Sequence, residues 1–185
     1  MGRAFVFVGQ ALEDLRDERG ALQSYKQATA MFESPTLTVE HVFDSLVAAS
    51  YGKVAGALAK LGYRDQARET YNKALAKLGS QPGSEPPSLQ VRYALVEIYT
   101  GLGQLESQSA SRGATRANAE DKACKWFQES RDIWLQMPFR NSISPSGFKV
   151  TDYDTVAAKL ASCNQVLRQR LSSTIERRDD LVREK

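Results

Sequence analysis

The chain has 185 residues, of which 42% are hydrophobic and 25% are charged, a composition that fits one folded domain large enough to bury a core. Its formal net charge is only +3, because 25 basic residues are interspersed with 22 acidic ones. We therefore expect neither a nucleic-acid nor a membrane partner. His41 is the only histidine and the two cysteines lack metal-ligand spacing, so the sequence predicts no metal site.

The start of the chain bears on its location. Residues 5–8 are apolar, but Glu13 and Asp14 follow too soon for the core of a signal peptide. No stretch approaches the roughly 20 apolar residues of a membrane span. The sequence therefore predicts a cytoplasmic protein. Because Met1 and Gly2 lead directly into a helical pattern, we interpret the chain as a fragment of a larger protein.

Apolar residues recur at helical spacing through the first half of the chain. In chain order, the predicted helices cover about 5–15, 21–33, 38–61 and 64–78. Thr38 is a good N-cap for the third of these helices, and Gly62 is expected to end it. The stretch 79–87 is rich in Gly, Ser and Pro, which predicts a linker to the next helix.

The fifth helix is predicted from about Pro87 to a stop at Gly101-Leu-Gly103. Residues 104–121 are rich in Ser, Ala, Arg and Gln. They could lengthen the helices on either side or form a mobile loop, and we favour partial helix at their Ala-Asn-Ala-Glu end. A sixth helix follows to about Met137.

The last predicted helix follows a loop that contains Ser and Pro. Thr151 and Asp154 form a capping box at its start, and an apolar stripe runs from Val156 to Leu171. The stripe is one helix face wide, which is typical of a helix that covers the end of a helical array.

A small, aromatic, small pattern occurs three times at identical spacing, in Ala21-Tyr25-Ala28, Ala67-Tyr71-Ala74 and Ala123-Phe127-Ser130. Together with the Gly62 helix stop before the second copy, this pattern resembles the tetratricopeptide repeat. The resemblance implies an all-α superhelix of about three antiparallel helix pairs plus a C-terminal capping helix. The implied boundaries are about 3–33, 39–78 and 87–137 for the repeats and about 152–183 for the capping helix.

Members of this family commonly bind a peptide in the groove lined by the first helix of each pair. By that resemblance, the peptide-binding groove is lined by Gln10, Glu13, Lys53, Lys60, Gln90, Tyr93, Glu97 and Thr100. The Lys and Asn clamp that holds chaperone tails in one subclass is missing, because Val6, Gln10 and Ala94 stand at three of its positions. The implied partner is therefore a protein or peptide other than a chaperone tail.

A second resemblance concerns the C-terminal part, where the runs 123–134 and 156–163 flank the Ser-Pro loop. This order is similar to the C-terminal repeat regions of large bacterial receptor-like serine/threonine kinases. The sequence contains no glycine-rich phosphate loop, HRD-type catalytic loop or DFG motif. The resemblance therefore implies the sensory or docking region of a bacterial signalling protein, with any kinase domain on another segment.

Two groups of residues allow a second interpretation. A set of aromatic residues could form a stacking platform for a ligand, but the helix-pairing spacing of most of them favours core positions. The set consists of Tyr25, Tyr71, Trp126, Phe127 and Trp134. Cys124 and Cys163 are predicted to approach each other in the packed cap. We interpret them as two buried side chains that behave as small hydrophobes, the alternative being a redox-sensitive pair.

These observations predict a non-catalytic scaffold that binds a protein or peptide without a cofactor. No nucleophile and base pair, metal cluster or phosphate loop supports an enzyme. The alternative function is structural self-association, in which the first or last helix forms a homodimer within a larger protein.

Overall fold

The computed structural model describes residues 1–34, 44–79, 87–109, 116–138 and 143–166. Its helices are α1 (Gly2–Asp14), α2 (Glu18–Phe32), α3 (Asp44–Lys60), α4 (Arg64–Gly79), α5 (Leu89–Ser109), α6 (Arg116–Leu135) and α7, which is helical over 153–166. Apart from one isolated bridge between Ile143 and Lys149, these residues contain no β-structure. The fold is an all-α helical repeat, as the sequence predicts. None of the described helices combines the length and apolar character that crossing a bilayer requires.

Helices α1 and α2 pack as an antiparallel pair, because the start of α1 lies against the end of α2. A Cβ atom added at Gly2 would lie 2.7 Å from the Phe32 ring, and one added at Gly20 would lie 3.2 Å from Leu12. The turn between the helices is fixed by Asp17, whose side chain accepts a hydrogen bond of 2.9 Å from the backbone N–H of Gly20.

The same arrangement recurs in the next two pairs. Gly62 separates α3 from α4 with a φ of +88°, a left-handed conformation that favours glycine, and so ends α3 where the sequence predicts. In the third pair, the Thr100 and Ser130 hydroxyls form a buried hydrogen bond of 2.8 Å. The Tyr93 ring also meets Trp134 edge to face at 5.8 Å between centroids.

The stretch 104–121 lengthens both of its neighbouring helices. Helix α5 continues to Ser109 and α6 begins at Arg116, so the partly helical interpretation extends to both ends of this stretch. The predicted N-cap Thr38, most of the 79–87 linker and the stripe beyond 166 lie outside the described residues.

The start of α7 differs from the predicted capping box. Asp152, rather than Thr151, caps the helix, because its carboxylate accepts hydrogen bonds from the backbone N–H and the hydroxyl of Thr155, both at 2.8 Å. These bonds hold the pKa of Asp152 below its ordinary value. The backbone N–H of Thr151 is instead directed to Glu97, at 3.1 Å from Oε2.

The largest cluster of buried side chains has members from each of the helices α1, α2, α3, α4 and α5. It also includes Phe148 from the segment before α7. Val156 and Leu160 of α7 pack against two smaller clusters formed with α5 and α6. Helix α7 therefore covers the apolar face that the third pair would otherwise expose.

Candidate functional site

The first helices of the three pairs, α1, α3 and α5, share an open pocket that we name the outer pocket. Its volume is about 320 Å³. Four of the predicted groove residues line it together: Glu13 from α1, Lys53 and Lys60 from α3, and Glu97 from α5. The remaining lining comes from Gly56, Ala59, Tyr71, Gly101, Gln104, Leu105, Gln108 and residues 149–151.

A neighbouring part of the predicted groove is filled by the chain itself. Residues 143–151, which we name the returning segment, pass across α3 and α5 before α7 begins. Phe148 is only 2% exposed and lies 6.3 Å from the Phe32 ring. The space left between this segment, Lys53 and Gln90 is only about 10 Å³. No ligand fits there while the segment is in place.

The ion pair between Lys53 and Glu97 holds the backbone of the returning segment. Lys53 Nζ lies 2.8 Å from Glu97 Oε1 and also donates to the backbone carbonyl of Lys149. Glu97 Oε2 accepts the backbone N–H of Thr151. A cation and a carboxylate on two different helices thus bind one carbonyl and one amide of a main chain.

A second ion pair lies on the open side, in the outer pocket. Lys60 Nζ donates to Glu13 Oε1 at 2.8 Å and lies 3.5 Å from Glu18 Oε2. Glu13 Oε2 accepts the hydroxyl of the buried Tyr25 at 2.6 Å. Burial lowers the pKa of Lys60, but Glu13 and Glu18 outweigh this effect and raise it, so the ammonium stays charged.

Tyr71 reaches the outer pocket from α4, which lies behind the helices that form it. Its hydroxyl passes between Gly56 of α3 and Gly101 of α5, where a side chain on Gly101 would collide with it. Tyr71 is 3% exposed, and within the described residues its hydroxyl has no hydrogen-bond partner. Burial raises its pKa, and the nearby Glu97 and Glu13 raise it further, so the phenol remains protonated.

The other predicted groove residues lie elsewhere. Thr100 is 1% exposed and bonds to Ser130, and Tyr93 packs on Trp134, so both belong to the interface between α5 and α6. Gln10 is buried and Gln90 is partly buried, and neither lines the outer pocket. Tyr71 was missed because its register predicts a core residue, which it also is.

Cys124 and Cys163 form a disulfide between α6 and α7, with their Cα atoms 5.5 Å apart. The interpretation of these residues as two free, buried thiols is therefore wrong. The packing of α7 on α6 gives the reason, since it brings the two Cα atoms within bonding range. Among the described residues, no group of His, Cys, Asp and Glu could hold a metal ion.

The helix pairs and the shared pocket define the chain as an all-α helical-repeat protein. A family model described as tetratricopeptide repeat matches residues 48–76, which cover most of α3 and α4. Comparisons with curated proteins and with solved structures found no match. Tetratricopeptide repeats commonly mediate protein–protein interactions and are generally non-catalytic, which supports a scaffold role for this chain.

Proposed function

We propose that this chain is a non-catalytic module that binds a peptide segment of a partner protein in the outer pocket. The observation that supports the proposal is the convergence of Glu13, Lys60 and Glu97, from three helices, on one open pocket. Rigid helices hold these groups in place before a ligand arrives, which lowers the entropy lost on binding.

The resemblance to kinase-associated repeats extends the proposal to a docking or sensory role in a larger bacterial signalling protein. A cytoplasmic location belongs to the same proposal, but the disulfide weighs against it, because such bonds persist mainly in oxidising compartments. Mass measurement of alkylated protein isolated from cells without reductant would show which state Cys124 and Cys163 adopt there.

A pull-down with quantitative mass spectrometry tests binding at the outer pocket. Lys60→Glu would place a third carboxylate beside Glu13 and Glu18, and we expect it to reduce capture of the specific partners at least fivefold. Lys73→Glu is the matched control, because Lys73 is exposed on α4, pairs with the exposed Glu69 and does not line the outer pocket. If every partner survives Lys60→Glu as well as Lys73→Glu, the proposed site is wrong.

Self-association is the second candidate function, and the apolar surface of α1 favours it. Phe7 and Val8 of α1 are about half exposed, and Leu15, directly after the helix, is 77% exposed. Light scattering over a concentration series separates the two functions. A dimer that dissociates on dilution and is lost in Val8→Glu would support self-association, whereas a monomer at all concentrations would leave peptide binding as the function.

A further inference from the structure

The way in which the chain holds its own returning segment indicates how the outer pocket holds a partner. At the Lys53 and Glu97 pair, the ammonium binds a main-chain carbonyl and the carboxylate binds a main-chain N–H. Every peptide carries these two groups in regular alternation, so such a pair recognises an extended backbone regardless of its side chains. The returning segment is thus an example of a ligand for this surface.

Lys60 and Glu13 form a second pair of the same kind, two helical turns further along α3. Lys60 follows Lys53 by seven residues of α3, which places the two side chains on the same face about 10 Å apart. That distance corresponds to about three residues of extended chain. Both pairs join α3 to a neighbouring first helix, Lys53 to α5 and Lys60 to α1.

The second pair retains hydrogen-bonding capacity. Lys60 Nζ has three donors, of which one bonds to Glu13 and a second faces Glu18 at 3.5 Å, and its side chain is 49% exposed. Each oxygen of Glu13 accepts one hydrogen bond within the described residues and has a further lone pair. Within the described residues this pair binds no main chain, whereas the Lys53 and Glu97 pair binds the returning segment.

Tyr71 adds a side-chain contact to this main-chain site. Its ring is almost fully buried, and its hydroxyl reaches the floor of the outer pocket, where it lacks a hydrogen-bond partner among the described residues. Because the buried ring holds the hydroxyl in a fixed position, a ligand group that bonds to it there loses little of its binding energy to ordering the site. The charged groups around it are already paired with one another, so an uncharged polar ligand group fits better than a further charge.

We propose that the outer pocket binds an extended segment of a partner protein through its main chain, at Lys60 and Glu13, and selects an Asn, Gln, Ser or Thr side chain through the Tyr71 hydroxyl. This inference rests on the proposed function, because it names the ligand of the same pocket.

Selection from a displayed library of random seven-residue peptides tests the inference on the full chain. We expect the selected peptides to share an amide or hydroxyl side chain at one position. Calorimetric titration of a synthetic selected peptide should show a two- to tenfold loss of affinity in Tyr71→Phe, the effect of one hydrogen bond. Replacing the shared polar residue of the peptide by Ala should cause no further loss in this variant.

Two variants complete the experiment. Lys60→Met should weaken all selected peptides, including those that lack the shared polar residue. Tyr51→Phe is the matched control for the lost hydroxyl, because Tyr51 donates to Glu33 at 2.7 Å, away from the outer pocket, and it should bind as the unmodified protein does. The thermal midpoint of each variant checks that its fold is intact.

The outcomes separate the inference from the function on which it rests. If Lys60→Met weakens binding but Tyr71→Phe does not, the pocket binds peptides and the role of Tyr71 is wrong. If selected peptides carry acidic or apolar residues at the shared position, the selection of a neutral polar side chain is wrong. If no peptide is selected, or if binding is unaffected by Lys60→Met, both the inference and the proposed function are wrong.

Discussion

Aromatic side chains of the second helices reach the first helices at glycine positions. A Cβ atom at Gly9 would collide with Tyr25, one at Gly101 would collide with Tyr71, and one at Gly103 would lie 2.6 Å from Phe127. These aromatic residues are the central members of the three sequence patterns. The absence of a side chain on the facing helix is therefore what lets each ring approach so closely, the first helix of its own pair for Tyr25 and Phe127 and that of the next pair for Tyr71.

Gly101→Ala is expected to destabilise the protein, although alanine is the better helix former. The added methyl group would overlap the Tyr71 hydroxyl and ring, and such overpacking costs about 1–3 kcal/mol. Gly52→Ala is the matched control, since its methyl group would meet its nearest neighbour, in Ile98, at 3.5 Å. Gly52→Ala should be neutral or stabilising by up to about 1 kcal/mol. Urea denaturation measures both, and equal effects would contradict the packing argument.

The residue patterns predicted which side chains are buried in much of the core, but not where the polar groups of those side chains lie. Ala67, Tyr71 and Ala74 are all buried, as their spacing predicts. The spacing could not show that the Tyr71 hydroxyl emerges on the opposite side of the helix layer, because that depends on glycines of two other helices. Similarly, Thr100 has the spacing of a groove residue but meets Ser130 in the structure.

At the scale of elements, the disulfide ties α7 to α6 across a sequence separation of 39 residues. Besides this bond, Leu160 packs with Ala123 and Phe127, so covalent and apolar contacts hold the same pair of helices together. The helices themselves were predictable from periodicity. The bond was not, because it depends on the register with which α7 packs on α6.

Removing the disulfide should lower the free energy of unfolding by about 2–4 kcal/mol, because the unfolded chain regains the entropy of an open loop. The variant is Cys124→Ala with Cys163→Ala, and thermal unfolding compares it with the oxidised protein. The thermal midpoint of the reduced protein should lie close to that of the variant. Two titratable thiols in the denatured, unreduced protein would show instead that the bond does not form.

At the scale of the whole molecule, the returning segment contacts the first helix pair, which lies far from it in the sequence. Phe148 belongs to the same buried cluster as Phe32, and Lys149 Nζ lies 3.1 Å from Asp14 Oδ1. In a simple helical array each unit contacts only its neighbours, so a local change stays local. Here the contact between distant units joins the array into a closed unit.

Phe148→Ala should therefore loosen helices far from it in sequence. Loss of this buried ring is expected to cost about 3 kcal/mol. Hydrogen exchange should become faster in α2, around Phe32, as well as near the substitution. Ile143→Ala is the control on the same segment, because Ile143 is 52% exposed and should change neither quantity. Faster exchange confined to α6 and α7 would contradict the closed arrangement.

The sequence could not predict this closure, since residues 137–148 contain turn formers and only isolated apolar residues. A single Phe in such a stretch is compatible with an exposed loop. Phe148 is buried because the packed helices leave space beside Phe32. This space depends on how the helices pack and cannot be predicted from the sequence of the segment.

The contact between the returning segment and the first helix pair can form only late in the synthesis of the chain. Asp14 and Lys149 are 135 residues apart, so at roughly 5–20 residues per second the ribosome makes the second about 7 to 27 seconds after the first. During that interval the first helix pairs can form while the surface around Phe32 and Lys53 remains uncovered. A nascent chain that has formed these pairs thus exposes a wider groove than the finished protein, until Phe148 leaves the exit tunnel and covers part of it.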